Sequence, residues 1–186
     1  FATKLCIPVV SSAGHGDAIP YAQLLYGGQM GPRGNPIASK LVKEADLIFA
    51  LGTRLGFNST FYSYENINKN AKIIQVEVNK KSIGRYFPIT IGIHNDVKNL
   101  IPQLNEFAKK NHKFPDSNLW TKNFIKAKKD YIKKRDKEAD ITSSPIQPSG
   151  LFKKLRDTIP EDSAITLDAG TLCLQATDMF NYKNPK

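Results

Sequence analysis

The sequence predicts an α/β protein: a doubly wound, mostly parallel Rossmann-like sheet flanked by helices, followed by the first part of a second α/β unit. Three observations predict it. The run "DLIFAL" at 46–51 is continuously apolar after its aspartate, the composition of a strand covered on both faces as in parallel sheets. Helical patterns alternate with strand patterns along the chain instead of following them in a block. Hydrophobic residues make up 40% of 186, enough for a core and too many for wholesale disorder.

The elements follow in order. Residues 8–12, "PVVSS", form a short buried strand. A helix covers 36–45, with Pro36 in its first turn and Ile37, Leu41 and Val42 on one face. The strand at 46–51 stops at Gly52, and a second strand, "KIIQVEV", occupies 72–78. "PITIGI" at 88–93 is a third. In "DVKNLIPQLNEFAKK", Val97, Leu100, Ile101, Leu104 and Phe107 share a helical side, while Pro102 places the helix start near itself or makes the turn before it irregular. "NHKFPDS" at 111–117 punctuates. A long helix follows, packing through Trp120, Phe124, Ala127 and Tyr131. "TSSPIQPSG" at 142–150 has linker composition. A new unit then brings a helix at 151–158, a strand "AITLD" at 164–168, a turn at Ala169-Gly170 and a helix from 171 to 181. The chain thus divides into a Rossmann-like domain at 1–110, an interdomain helix and linker at 111–148, and the beginning of another domain at 149–186.

Composition narrows the function. The chain carries 27 basic and 17 acidic residues, and much of the net charge of +10 sits at 121–140. No aromatic stacking module accompanies that stretch, so it reads as a solvated helix face and no nucleic-acid partner is expected. Cys6 and Cys173 form neither a disulfide framework nor a zinc spacing, and read as small buried hydrophobes. His15, His94 and His112 make no metal-type pair. Nothing approaches the roughly 18 apolar residues of a membrane span. There is no GxGxxG, no Walker A sequence and no convincing Ser/His/Asp or Cys/His set, so no catalytic residue is assigned. The chain starts without Met and is expected to be part of a longer protein, with the cytoplasm as its default location.

Ligands of doubly wound sheets sit beyond the carboxyl ends of the strands. Gly52, Thr53, Arg54, Asn79 and Asp96 all fall at that edge, as do Glu77 and His15. A glycine there lets a ligand approach the backbone, an arginine pairs with phosphate or carboxylate, and Glu77 or Asn79 suits a ribose hydroxyl. Each also has a purely structural reading, a tight turn at Gly52 and an ion pair or domain contact at Arg54. Asp168-Ala169-Gly170-Thr171 repeats the logic, with a glycine between a strand and the amides that open a helix.

In order along the chain, "IPVVSSAGHGDAIP", "GPRGNPIASKLVKEADLIFALGTRLG", "AKIIQVEVNKKSIGR" and "ITIGIHNDVKNLI" resemble the central, DHS-like Rossmann domain of thiamine-diphosphate-dependent enzymes of the acetolactate synthase superfamily. The resemblance covers residues 1 to about 108. Residues from about 149 to 186 resemble the start of the domain that holds the cofactor's diphosphate. Within the superfamily the sulfoacetaldehyde acetyltransferase branch is the most similar, through "HGDAIP" at 15–20, "GPRGNP" at 31–36, "ALGTRLG" at 50–56 with Thr60, and "DAGTLC" at 168–173. Arg33 and Asn35 stand where that pattern carries leucine and tyrosine, and Thr171 replaces an asparagine.

The resemblance implies conversion of sulfoacetaldehyde and phosphate to acetyl phosphate and sulfite, with thiamine diphosphate and Mg2+ in the full-length protein. It places Gly170, Thr171 and Leu172 in the thiamine diphosphate pocket. It makes Gly52, Thr53, Arg54, Asn79 and Asp96 a vestigial nucleotide site. That site is not expected to hold FAD, because Leu55-Gly56-Phe57-Asn58 replaces the acidic segment of acetolactate synthases. A small substrate and phosphate are the implied partners, in a homodimer or homotetramer with no membrane or nucleic-acid partner. The first strand of the central domain is expected ahead of Phe1. The activating glutamate and the metal-binding motif are expected outside these residues, so the chain alone should be inactive. Three rivals remain: an acetolactate synthase-like or other thiamine-diphosphate lyase or carboligase acting on a 2-oxo acid, a non-catalytic FAD- or NAD-binding module, and a basic interaction module built on 121–140.

Overall fold

A computed structural model describes residues 1–110, 118–168 and 170–184. The punctuating segment at 111–117 and the expected turn residue Ala169 lie outside the described residues. The order is α1 (Ala2–Leu5), β1 (Val9–Ser11), β2 (Tyr26–Gln29), α2 (Pro36–Glu44), β3 (Leu47–Leu51), α3 (Phe57–Thr60), β4 (Lys72–Glu77), β5 (Ile91–His94), α4 (Val97–Lys110), α5 (Leu119–Glu138), α6 (Pro148–Thr158) and α7 (Thr171–Met179). All strand pairing among the described residues is parallel, and helices pack against the sheets, so the α/β class holds.

The strands form two sheets instead of one: β1-β2, and β3-β4-β5. β1 has only three residues and its register to β2 shifts between Val9 and Ser11, so it offers little ladder for a further strand. β3 is consequently an edge. Leu47 is 52% exposed and only Ala50 is buried, where the apolar run predicts cover on both faces. The two sheets still converge at their carboxyl ends, where the Ser12 and Thr53 hydroxyls are hydrogen-bonded at 2.9 Å.

α2 forms as its sequence requires. The Asn35 side chain accepts from the Ile37 N–H at 2.8 Å and the Ala38 N–H at 3.3 Å, and Pro36 needs no donor at the first position. Its apolar face buries Ala38, Leu41 and Val42. Ala38 and Val42 join Met30, Ala50, Leu55, Ile67, Ile73 and Phe87 in the main core. β2 was not foreseen, because "YGGQ" has poor strand composition. Packing explains it: a Cβ on Gly27 would stand 2.9 Å from Leu41 Cδ1, so the glycine lets α2 lie close on the strand.

Other boundaries move for identifiable reasons. The third predicted strand begins at Ile91, not at Pro88, and extends to His94. α4 is continuous from Val97 through Pro102. Pro102 and Lys98, whose carbonyl the proline leaves without its helical donor, both lie on the exposed side of the helix. Phe107, expected on the buried side, is 62% exposed. α6 starts at Pro148, three residues before the predicted start, and α7 stops at Met179, two before the predicted end. Residues 164–168 are not strand, and Leu167 among them is exposed.

α5 departs most from expectation. Its cap is Asn118, whose side chain accepts from the Thr121 N–H at 2.8 Å. Phe124 is buried as predicted. But Lys128 and Arg135, assigned to a solvated face, are buried as well. The Lys128 ammonium donates to the Gln23 carbonyl at 2.8 Å, and both cations lie over the Tyr21 ring. Lys122, Lys126, Lys129, Lys133 and Lys137 do face water. Cys6 and Cys173 are half-buried, not core residues. No helix among the described residues is long and apolar enough to cross a membrane.

Candidate functional site

The carboxyl ends of β1, β3 and β4 open onto a cavity of about 570 Å³. Ser12, Gly52, Thr53, Arg54, Glu77 and Asn79 line it, with Phe57, Tyr62 and Tyr86 as an aromatic wall. Of the residues singled out in the sequence, Gly52, Thr53, Arg54 and Asn79 meet here, together with Glu77 and His15. Asp96 does not. Its carboxylate accepts from the Lys98 N–H at 2.8 Å and its carbonyl from Asn99 at 3.0 Å and Leu100 at 3.1 Å, so it begins α4 instead of facing a ligand.

The loop after β3 is held from both ends. Gly52 has φ +62, a left-handed turn, and its N–H donates to the Val76 carbonyl at 2.9 Å. The Gln75 side chain bridges two loops, donating to the Thr53 carbonyl at 3.0 Å and accepting from the Gly84 N–H at 2.7 Å. Thr60, fully buried, donates to the Leu55 carbonyl at 2.9 Å and accepts from the Tyr62 N–H at 3.1 Å. Leu55, Phe61 and Tyr62 all have positive φ without being glycine. Such backbone persists only where its surroundings enforce it, and it concentrates at binding sites.

The side chains lining the cavity are of types that recognise anions and rings. Arg54 is exposed and has no ion-pair partner among the described residues, leaving its guanidinium for an anion. Glu77 is buried at the end of β4 and accepts from the Asn79 N–H at 3.3 Å. The Asn79 side chain is partly used, accepting from Lys81 at 3.0 Å. Tyr62 lies 4.5 Å from Tyr86 and 5.7 Å from Phe57, centroid to centroid, which gives a ring surface beside the cation. Sequence reasoning missed this wall; the only signal was the aromatic density of "FNSTFYSY" at 57–64. No group of three His, Cys, Asp or Glu side chains suited to a metal occurs among the described residues.

Gly170, Thr171 and Leu172 stand elsewhere, at the start of α7. Gly170 is the cap residue and, having no side chain, supplies no side-chain cap to the first amides. A Cβ on Gly170 would meet nothing within 4 Å, and Leu172 is 49% exposed.

The far end of α7 is partly buried, around the fully buried Ala176. The Asp178 carboxylate accepts from Asn35 Nδ2 at 2.8 Å and from the Tyr131 hydroxyl. Arg135 Nη1 donates to the Asp178 carbonyl at 3.0 Å. Burial raises the Asp178 pKa above the ordinary carboxylate value, although Tyr131, Arg135 and Asn35 favour its charge. Burial likewise raises the Tyr131 phenol, and the hydrogen bond to Asp178 adds to it.

Comparison with known proteins places these features. Residues 1–104 match the family described as "Thiamine pyrophosphate enzyme, central domain". The chain is 28% identical over its whole length to a protein of Castellaniella defragrans named sulfoacetaldehyde acetyltransferase, covering 34% of that protein. A probable sulfoacetaldehyde acetyltransferase of Rhizobium meliloti is 39% identical over 55% of the chain and 18% of its own length. The acetolactate synthase large subunit of Haemophilus influenzae is 27% identical over the whole chain and 32% of its own length. The chain thus spans about a third of the relatives that match it throughout.

Proposed function

The chain belongs to the thiamine pyrophosphate enzyme central-domain family, and from that premise we propose that it is part of a thiamine-diphosphate-dependent sulfoacetaldehyde acetyltransferase. The full-length protein would convert sulfoacetaldehyde and phosphate to acetyl phosphate and sulfite. The observation that carries this reading is the match of the entire chain to the Castellaniella acetyltransferase, running past the family's domain into the α7 segment. Thiamine diphosphate, when bound, supplies the nucleophilic carbon that such chemistry needs.

The chain's own contribution is placement. Gly170, Thr171 and Leu172 would form part of the pocket wall, the first amides of α7 facing polar groups of the cofactor and Leu172 excluding water. Magnesium ligands are assigned to parts of the full-length enzyme outside the described residues. The site is expected between two subunits of a cytoplasmic homodimer or homotetramer, and the 186-residue chain by itself should show no turnover. The cavity at Gly52, Thr53, Arg54 and Asn79 is assigned as a nucleotide-type site inherited with the fold and not filled by FAD. Its free arginine and aromatic wall support that assignment.

A second reading has its own support. The match to the Haemophilus acetolactate synthase subunit also covers the whole chain, which favours a carboligase acting on a 2-oxo acid. One experiment separates the two. The full-length protein is supplied with thiamine diphosphate, Mg2+, phosphate and sulfoacetaldehyde, and in parallel with pyruvate. Release of sulfite together with acetyl phosphate is expected. Consumption of pyruvate without sulfite release from sulfoacetaldehyde would overturn the acetyltransferase reading in favour of the carboligase.

A further inference from the structure

Asn35 departs from the tyrosine of the related pattern, and the structure gives it two jobs. Its carbonyl oxygen caps α2 and its amide nitrogen reaches Asp178, 143 positions along the chain. Around that contact the C-terminal end of α7 is enclosed. Tyr131 donates its hydroxyl to the carboxylate and Arg135 donates to the main-chain carbonyl of Asp178, while the Thr177 hydroxyl, which bonds the Leu174 carbonyl of its own helix at 2.6 Å, also lies 3.2 Å from the Arg33 carbonyl. The chain beyond the helix is fixed too, because the Tyr21 N–H donates to the Tyr182 carbonyl at 2.9 Å. Asp136 holds Arg156 at 2.9 Å and Arg135 at 3.3 Å, which ties α6 to the same cluster. The opposite end of α7 is more open: its cap residue Gly170 is exposed, and a Cβ there would meet nothing within 4 Å.

A helix is a rigid rod over nine residues, so fixing one end aims the other. We propose that Asp178 is a positioning residue: with Asn35, Tyr131 and Arg135 it clamps the end of α7 to the central domain and so sets where Gly170, Thr171 and Leu172 stand. The clamp reaches the cofactor through the rod, without touching it. This inference rests on the functional reading only in placing the start of α7 at thiamine diphosphate. The Asn35–Asp178 pair is built as a unit: the partly buried carboxylate accepts from the amide of a buried asparagine, and no other acceptor for that amide is found among the described residues. It also explains the departure at position 35, because a tyrosine there could not both cap α2 and serve that carboxylate.

The test uses full-length protein carrying Asp178→Ala, Asp178→Asn or Tyr131→Phe, with two readouts: thiamine diphosphate affinity by quenching of intrinsic fluorescence, and amide hydrogen exchange along α7. Asp178→Ala is expected to weaken cofactor affinity roughly tenfold and to speed exchange at 171–179. Turnover at saturating cofactor should stay within about twofold, and Asp178→Asn should recover most of the affinity. If Asp178→Ala does not fold, Tyr131→Phe tests the same contact and should weaken the cofactor by a smaller factor. Faster α7 exchange with unchanged affinity would overturn the positioning role, because the start of α7 then lies away from the cofactor. Unchanged exchange and affinity in all folded variants would overturn the clamp itself. If the wild type bound no thiamine diphosphate, the functional reading would fail, and the exchange data alone would decide the clamp.

Discussion

Lys128 is a cation that the fold buries at a cost, and the cost has a pH signature. Its side chain is 9% exposed, its ammonium reaches the Gln23 carbonyl, and no carboxylate pairs with it among the described residues. Burial lowers its pKa from 10.5 to about 8. Below pH 8 the folded and unfolded chains both hold the proton and the penalty is constant. Between 8 and 10.5 the unfolded chain holds more protons, so stability rises with pH. Each pH unit in that window is worth about 1.4 kcal/mol at full effect, and roughly half of that once water screens the ammonium. From pH 7.5 to 9.5 the gain is thus about 1 kcal/mol, or about 0.5 M in urea midpoint for a typical m-value. Lys128→Met should remove this slope. Its stability at neutral pH should change little, because relief of the buried charge is offset by a Gln23 carbonyl left without its donor. The assay is urea unfolding of both proteins at half-unit steps over that range, below the pH where the buried tyrosines titrate. Parallel midpoint curves for wild type and variant would refute the reasoning.

Four further substitutions probe the site and its scaffold. Thr60→Val should cost about 1–3 kcal/mol, since it leaves the Tyr62 N–H and the Leu55 carbonyl unpaired in a buried loop; urea unfolding measures it. Gly31→Ala combines a φ of +136 with a Cβ 2.6 Å from the Asn58 carbonyl oxygen, and should lower the thermal midpoint by well over that of a surface change, or prevent folding. Asn118→Ala removes the α5 cap and should cost about 1 kcal/mol in the same measurement. On the proposed nucleotide-type site, with ADP as the probe, Arg54→Ala should weaken binding by about tenfold in calorimetry while leaving the unfolding curve in place, as the side chain is exposed and has no ion-pair partner among the described residues.

Periodicity and punctuation revealed what is local. α2, β3 and β4 fall within a residue or so of their sequence positions, because each carries its own apolar pattern and stops at a recognisable break. β2 carries no such pattern. Its glycines exist for contact with α2 and Val10, which no local window contains. Residues 164–168 show the reverse: the alternation is present, but a strand is a relation between segments, and neither sheet of the described residues includes this one.

The site divides along the same line. Gly52, Thr53, Arg54 and Asn79 were legible because parallel strands expose their carboxyl ends to one edge, a topological rule that needs no side-chain detail. Asp96 shares the edge by that rule but spends its carboxylate on the first turn of α4, a local demand that outranks a distant ligand. Lys128 and Arg135 were illegible for a different reason. Charged residues inside a lysine-rich helix look solvated by composition, and only three-dimensional neighbours reveal that two of them face Tyr21 and that one of these also supports α7. Those buried charges lie on the contact between the central domain and the following segment. An apolar contact tolerates sliding, whereas Asn35, Tyr131 and Arg135 satisfy Asp178 in one geometry. A helix that must present its first turn at a fixed place gains from that single geometry, and this is why the polar cluster sits at its far end.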